Sequence, residues 1–258
     1  MTKARDGVED LKTIDANFAA KAPLASPVFT GNVGIGVTPE AWHSSYTAIQ
    51  VGGNGTVWGS TAQSAGGGFY NSQNVYYDGG YKYISTDTAS KYAQSSGTHK
   101  FKVAPSGTAD AAISWTTAMT IDNAGIVITP SQPSFRVASG TSHGGNAIHT
   151  HSTQHHNVGN NYNSSNGKFT APVAGSYYFG VQLISLNATT SNEQNIDILK
   201  NGTPVCDSRF AGYTSSSGHL KTVIMLSAGD YVQVRNANAN TSTYASNYHN
   251  QFMGYLIG

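Results

Sequence analysis

Residues 162–179, YNSSNGKFTAPVAGSYYF, constrain the fold more than any other stretch of the chain. Lys168, Phe169 and Thr170 make a short strand with an apolar centre, and the aromatic run from Tyr177 begins a second. Pro172 and Gly175 between them deny both a helix and one uninterrupted strand. Asn166-Gly167 ahead of the first strand is a turn pair, because both residues reach positive φ at low cost. A chain organised around such a unit folds from short strands and tight turns.

The same grammar runs through residues 133–258. Strands are expected at Ser134 to Ala138, Ile148 to Thr153, Lys168 to Thr170, Tyr177 to Ser185, Asn195 to Leu199, His219 to Leu226, Tyr231 to Arg235 and Gln251 to Ile257. Asn201-Gly202 and Ala228-Gly229-Asp230 supply turns between them. Eight or more strands so connected make a β-sandwich or jelly roll. Phe135, Phe169, Tyr177, Phe179, Phe252 and Leu256 are the residues expected in its core or at subunit contacts, and Cys206 is expected as a thiol packed in a strand.

Residues 23–132 read as a Gly-rich, intertwined β shaft or middle domain. Pro23 and Pro27 favour extended chain, and Val33, Ile35 and Val37 alternate with small or polar residues, two of them glycines. A strand bare of side chains on one face makes sense where several backbones meet around an axis. Further on, alternating pairs such as Tyr81 and Tyr83, Phe101 and Val103, Ile113 and Trp115, Met119 and Ile121, and Ile126 and Ile128 are separated by Gly-containing turns. TGNVGIGVTP at 30–39 is echoed by NAGIVITP at 123–130, which places a boundary near Pro130 to Pro133. Residues 1–22 form a separate segment in which Leu11, Ile14 and Phe18 keep coiled-coil spacing, so a short N-terminal helix that docks elsewhere is expected. The whole chain is therefore expected to be all-β apart from that helix.

Charge narrows the partners. Only 10% of residues are charged and the net charge is +1, from 14 basic and 13 acidic residues, so no electrostatic footprint for nucleic acid or an anionic membrane is present. No N-terminal apolar h-region and no window of about 18–20 apolar residues points to a secretory signal or a membrane insertion.

Two stretches resemble known families. KAPLASPVFTG at 21–31 resembles the segment at the head of bacteriophage tail-fibre shafts. The phrases VGIGVTPEAWHSSYTAIQVGG, YYDGGYKYISTDTAS, HKFKVAPSGTA and WTTAMTIDNAGIVITP are similar to modules of marine and cyanobacterial phage fibres. That resemblance implies a virion structural protein, a tail fibre that attaches to the host surface, with its N-terminus on other virion proteins. A capsid-attached trimeric fibre or decoration protein, and a polysaccharide-cleaving tailspike, are the alternatives it leaves open.

The C-terminal region resembles the globular head of complement component 1q, with its tumour-necrosis-factor jelly roll. The resemblance is carried by Pro133-Ser134-Phe135, by Asn157, Gly159 and Tyr162, and by Gly167-Lys168-Phe169-Thr170-Ala171-Pro172. It continues through Gly175 to Phe179, through Ala228-Gly229-Asp230-Tyr231-Val232 and through Phe252 to Leu256. It implies a homotrimer that presents loops to ligands and is not an enzyme. His151 stands where that family usually has an aromatic residue.

Five of nine histidines lie between His143 and His156. On an extended strand His149 and His151 share a face, and around a threefold axis three chains would offer six imidazoles to iron or nickel. Otherwise no cofactor is expected. Gly140-Thr141-Ser142-His143-Gly144 fits G-x-S-x-G in letters but precedes an extended stretch rather than a helix, so no catalytic serine is expected. The 15 tyrosines and many asparagines suit sugar or protein recognition without ions. Loops 187–194, 210–218 and 236–248 carry the candidate contacts to a host glycan or protein receptor: Asn192, Tyr213, Tyr244, Asn247 and Tyr248.

Overall fold

The structure, a computed structural model, describes residues 29–62, 67–189, 192–210 and 215–258. The expected N-terminal helix and most of KAPLASPVFTG lie outside these residues. Among the described residues every regular element is a strand, so none is a helix long and apolar enough to cross a membrane. The chain divides into two compact units at Thr129/Pro130.

The N-terminal unit holds β1 (Val33–Ile35), β2 (Tyr46–Val51), β3 (Gly55–Ser60), β4 (Gly68–Gln73), β5 (Tyr76–Tyr77), β6 (Tyr81–Lys82), β7 (Asp87–Ser95), β8 (Thr98–Gly107), β9 (Thr116–Ile121) and β10 (Val127–Ile128). Eight of them make one sheet in the order β1-β2-β3-β4-β7-β8-β9-β10, and β5 pairs with β6 apart from it. Antiparallel pairing joins neighbours from β2 to β10, with β1 parallel to β2. Most strands pair with the next in sequence, while β4 skips β5 and β6 to pair with β7. Ile113 and Trp115, read as a strand, instead lie in the irregular connection before β9, where both pack against a small core of Val75, Tyr83, Ala89 and Ala104.

One face of this sheet is covered. Trp58 stacks on Tyr70 at 3.9 Å and meets Tyr46 edge-on at 4.8 Å, with Trp42 at 5.4 Å. Lys91 is buried on the same side, its ammonium 3.3 Å from the centre of the Tyr81 ring, an attraction that offsets part of its desolvation. Burial pulls this lysine down to about 7.

The C-terminal unit is a two-layer sandwich. One sheet has the order β12-β11-β20-β15-β18, formed by β11 (Ser134–Ala138), β12 (Thr153–Val158), β15 (Gly175–Ile184), β18 (Ser217–Leu226) and β20 (Gln251–Leu256). The other has the order β13-β14-β19-β16-β17, from β13 (Tyr162–Asn163), β14 (Lys168–Thr170), β16 (Gln194–Lys200), β17 (Thr203–Phe210) and β19 (Tyr231–Asn236). Alternate residues turn inward, which brings Phe135, Phe169, Tyr177, Phe179, Ile196, Ile198, Val232, Val234 and Phe252 into one core. β16 turns into β17 through Asn201-Gly202, both at positive φ (51° and 82°), as a two-residue hairpin requires. Cys206 in β17 packs against the core half-buried.

Candidate functional site

At the ends of these strands, asparagine amides hold the polar loops in place. The Gln194 amide donates to Asn236 Oδ1, and Asn236 Nδ2 donates to the Thr241 carbonyl at 2.8 Å. Asn238 Nδ2 donates to Asn192 Oδ1 at 3.0 Å, and Asn192 Nδ2 to the Asn240 carbonyl at 3.1 Å. Asn187 Oδ1 accepts from the Ser242 amide at 2.8 Å. The bonds of Asn192, Asn238 and Asn187 tie loop 187–193 to loop 236–243 without an ion, and the Asn236–Thr241 bond braces the second loop within itself.

Between the loops lies a polar cleft of about 480 Å³ whose walls include Asn192, Glu193, Asn195, Arg209, Asn238 and Asn240. Its donors and acceptors are mixed: two amides, Asn192 and Asn238, are spent on the loops, while Asn195 Oδ1 is buried with no partner. Such a wall can bind hydroxyl-rich or peptide-like groups, since it offers both donors and acceptors with one charge of each sign. Among the expected contact residues, Asn192 lines this cleft. The run Asn236-Ala237-Asn238-Ala239-Asn240 was the signal that could have located it.

The other candidates stand apart from the cleft. Tyr248 is 84% exposed and Tyr244 half so. The Tyr244 carbonyl accepts from Asn250 Nδ2, which fixes its backbone. Asn247 is exposed and its Oδ1 accepts from Thr153 Oγ1 at 3.2 Å. Tyr213 lies outside the described residues.

The histidines overturn the threefold-axis metal reading. His149 and His151 do not lie on a strand; β12 begins later, at Thr153. Both are 0% exposed within the single chain, so neither can face imidazoles of other copies. They stack inward instead: His143 and His149 are 4.4 Å apart, His149 and His151 5.9 Å, and His151 lies 5.9 Å from Phe252. His151 thus fills the aromatic position with an imidazole of similar shape. Its Nδ1 lies 3.2 Å from the Tyr162 hydroxyl, which also accepts from the His151 backbone amide. Both nitrogens of His149, Nε2 of His151 and Nδ1 of His143 are buried without partners. Burial, then the neighbouring imidazoles, holds His149 well below its ordinary value, and burial with His143 takes His151 down to about 3. No grouping of three His, Cys, Asp or Glu among the described residues has metal-binding geometry.

Other chemistry-bearing residues are structurally engaged. The Ser142 hydroxyl donates to the Thr243 carbonyl and belongs to an irregular loop, not to a strand-to-helix elbow. Asp197 pairs with Arg235, Asp230 with Lys200 at 2.9 Å, Asp110 accepts from Tyr76 and Asp122 caps its own turn. Phe135, Phe169, Tyr177, Phe179 and Phe252 have at most 1% of their surface exposed, so they are core residues with nothing left for a subunit contact, while Leu256 packs on that core partly buried.

Residues 135–257 match the family model of the C1q domain. Among solved structures, the globular domain of zebrafish complement 1qA is similar at 19% identity, over 49% of this chain and 98% of that one, with a TM-score of 0.40. Eiger TNF from S. frugiperda is similar at 11% identity, over 50% of this chain and 94% of that one, with a TM-score of 0.43. Murine APRIL at pH 5.0 is similar at 11% identity, over 49% and 99%, with a TM-score of 0.42. No curated protein matches. The C-terminal unit is a two-sheet jelly roll, and the C1q-domain match spans most of it.

Proposed function

We propose that this chain is a homotrimeric bacteriophage fibre protein whose C1q-like head attaches to the host cell surface, a binder rather than an enzyme. The observation that carries the assembly is the outer face of the sheet β12-β11-β20-β15-β18. There Tyr255 and Tyr178 sit side by side with rings 5.1 Å apart, Val223 lies opposite Tyr178, and Met225 and Ile257 flank Ser176. Val223, Met225, Tyr255 and Ile257 are all exposed, Met225 at 66%. A large apolar patch on a soluble unit marks an interaction surface, and a head that trimerises has a use for one. Residues 1–22 then serve as the docking segment on other virion proteins, in keeping with the phage-fibre phrases that follow them.

Recognition falls to the asparagine-walled cleft and the exposed Tyr244 and Tyr248, with a glycan or protein receptor as ligand. Three copies of a weak site gain avidity wherever receptor spacing lets them engage together.

Light scattering of the intact chain should give three copies per particle, and Val223→Glu with Met225→Glu should give one. A monomer before mutation removes the trimer reading. Phage carrying the chain without residues 133–258 should keep the fibre on the virion and lose adsorption to host cells. Unchanged adsorption would assign the head a structural role, and a map of the intact virion would decide between tail and capsid attachment.

A further inference from the structure

The eight-stranded sheet of the N-terminal unit carries apolar residues on both faces, Trp58 and Tyr70 on the covered one. Its covered face buries polar residues, with Gln50 at 0%, Thr56 at 3% and Lys91 at 5% exposure. Its bare face presents exposed isoleucine, valine and phenylalanine side chains. Register places three rows across this bare side. The central row is Val33, Ile49, Val57, Asn71, Tyr92, Phe101 and Met119. On one flank run Ile35, Val51, Gly55, Gln73, Ser90 and Val103, and on the other Thr47, Gly59, Phe69, Gln94, His99, Ile121 and Val127.

No Asp, Glu, Lys or Arg stands in any of the three rows. The nearby cations Lys91, Lys100 and Lys102 pair with one another or with Ala93, which puts them on the opposite face. Ile35, Ile49, Val51, Phe69, Phe101, Val103 and Val127 are between 40% and 59% exposed. With roughly 150–200 Å² per side chain, they leave on the order of 600 Å² of apolar surface. That is the upper limit of about 300–600 Å² for the largest patch on an ordinary monomer. It is also most of the about 800 Å² that each partner buries in a specific interface.

We propose that this uncharged face of the N-terminal unit packs against the same unit in other copies of the chain. The inference rests on the oligomeric reading above and adds to it a second, separate contact surface. Charge argues for the occupant: a partner steered by ions finds none here, whereas another copy brings a matching uncharged apolar surface at equal concentration. Covalent linkage argues for it too. Once the heads associate, the N-terminal units of the same particle are held at an effective concentration of about millimolar, so even a modest apolar contact forms. Gly55 and Gly59 lie within the flanking rows and keep β3 low on either side of Val57, which leaves room for side chains of a facing copy.

The test places a thiol at Ser90→Cys, in the flanking row, in a Cys206→Ser background of the full chain. Its alkylation rate is compared with that of the same chain carrying Ile49→Glu and Phe101→Glu, with light scattering on both. The expected result is alkylation at least about tenfold slower in the chain with the intact face, and fast alkylation in the charged variant. Equal rates in a chain that is still oligomeric overturn this inference and leave the head-based assembly standing. Slow alkylation in a chain that scatters as a monomer shows that the chain covers the face itself, for example with residues 1–28, and overturns it as well. A monomer with fast alkylation removes the oligomeric reading together with the inference. Should the glutamate variant fail to fold, a nitroxide on Asn71→Cys needs no charge change: copies in contact give an exchange-broadened spectrum, and a sharp one from the oligomer rejects the contact.

Discussion

Lowering the pH from 7.5 to 4.5 should destabilise the C-terminal unit by about 3 kcal/mol through His151 alone, counting about 1.4 kcal/mol per pH unit below the ordinary value of about 6.5, with His149 acting in the same direction. His149 and His151 are neutral in the fold because burial pushes both down, His151 to about 3 and His149 well below its usual range. Above about 6.5 they are neutral folded and unfolded, so they contribute nothing to the slope. Below it the unfolded chain takes up protons that the folded chain refuses, and stability falls until the folded values are reached. Asp230 does not mask the effect. Hydrogen bonds from Asn201 and Ser227 and the Lys200 ammonium hold its carboxyl down to about 2, so its contribution is lost only at lower pH. Urea midpoints at one protein concentration give the measurement. His151→Phe should remove the His151 part of the slope, because phenylalanine fits beside Phe252 and carries no proton. A midpoint that does not move between the two pH values would mean that the imidazoles take up protons without unfolding.

The same histidines mark the limit of what could be read from the sequence. His149-Thr150-His151 after Ile148 reads as a polar strand with one face outward, and polar residues in alternation ordinarily lie at a surface. Interior packing overrode that expectation, since an imidazole has nearly the shape of the aromatic ring that Phe252 and Tyr162 would otherwise meet. The strand that pairs with β11 was built from the still more polar Thr153–Val158, through a register shift at Arg136/Val137. By contrast, Ser134–Ala138 and Lys168–Thr170 were legible to the residue, because apolar alternation, a turn pair and a proline all point the same way.

β17 was foreseen only as an unbounded strand around Cys206, for a physical reason. It is an edge strand with Pro204, Asp207 and Arg209, and edges tolerate the residues that a central strand rejects. β7 escaped notice because its inward residues are Ala89, Lys91 and Ala93, too small or too polar to register as a period of two. The cleft at Asn192 was half legible: the loops were foreseen as polar, but only the fold shows that Arg209 and Asn195, adjacent across the β16–β17 pair, close its wall.

Phe135→Ala should cost about 3–5 kcal/mol, enough to leave a domain of ordinary stability, about 5–15 kcal/mol, marginal or unfolded. Phe135 is 1% exposed and stacks on Phe169 at 4.8 Å and on Tyr162 at 5.3 Å, with Phe252 edge-on at 4.8 Å. Its removal empties the point where both sheets meet, and the neighbouring rings are held by their own strands and cannot all close in. Gly254 supplies an internal check. A Cβ there would come 2.8 Å from Phe135 Cε1 and 2.7 Å from Phe179 Cδ1, so Gly254→Ala alone should be destabilising. With Phe135 already truncated, one of the two clashes is gone and the new methyl enters the space left behind. The double variant should therefore lose less stability than the sum of the single losses, by about 0.5–3 kcal/mol in a double-mutant cycle. Denaturant midpoints of the four proteins measure it. Strict additivity would mean that the two residues do not share this part of the core, and the ring packing described for Phe135 would have to be abandoned.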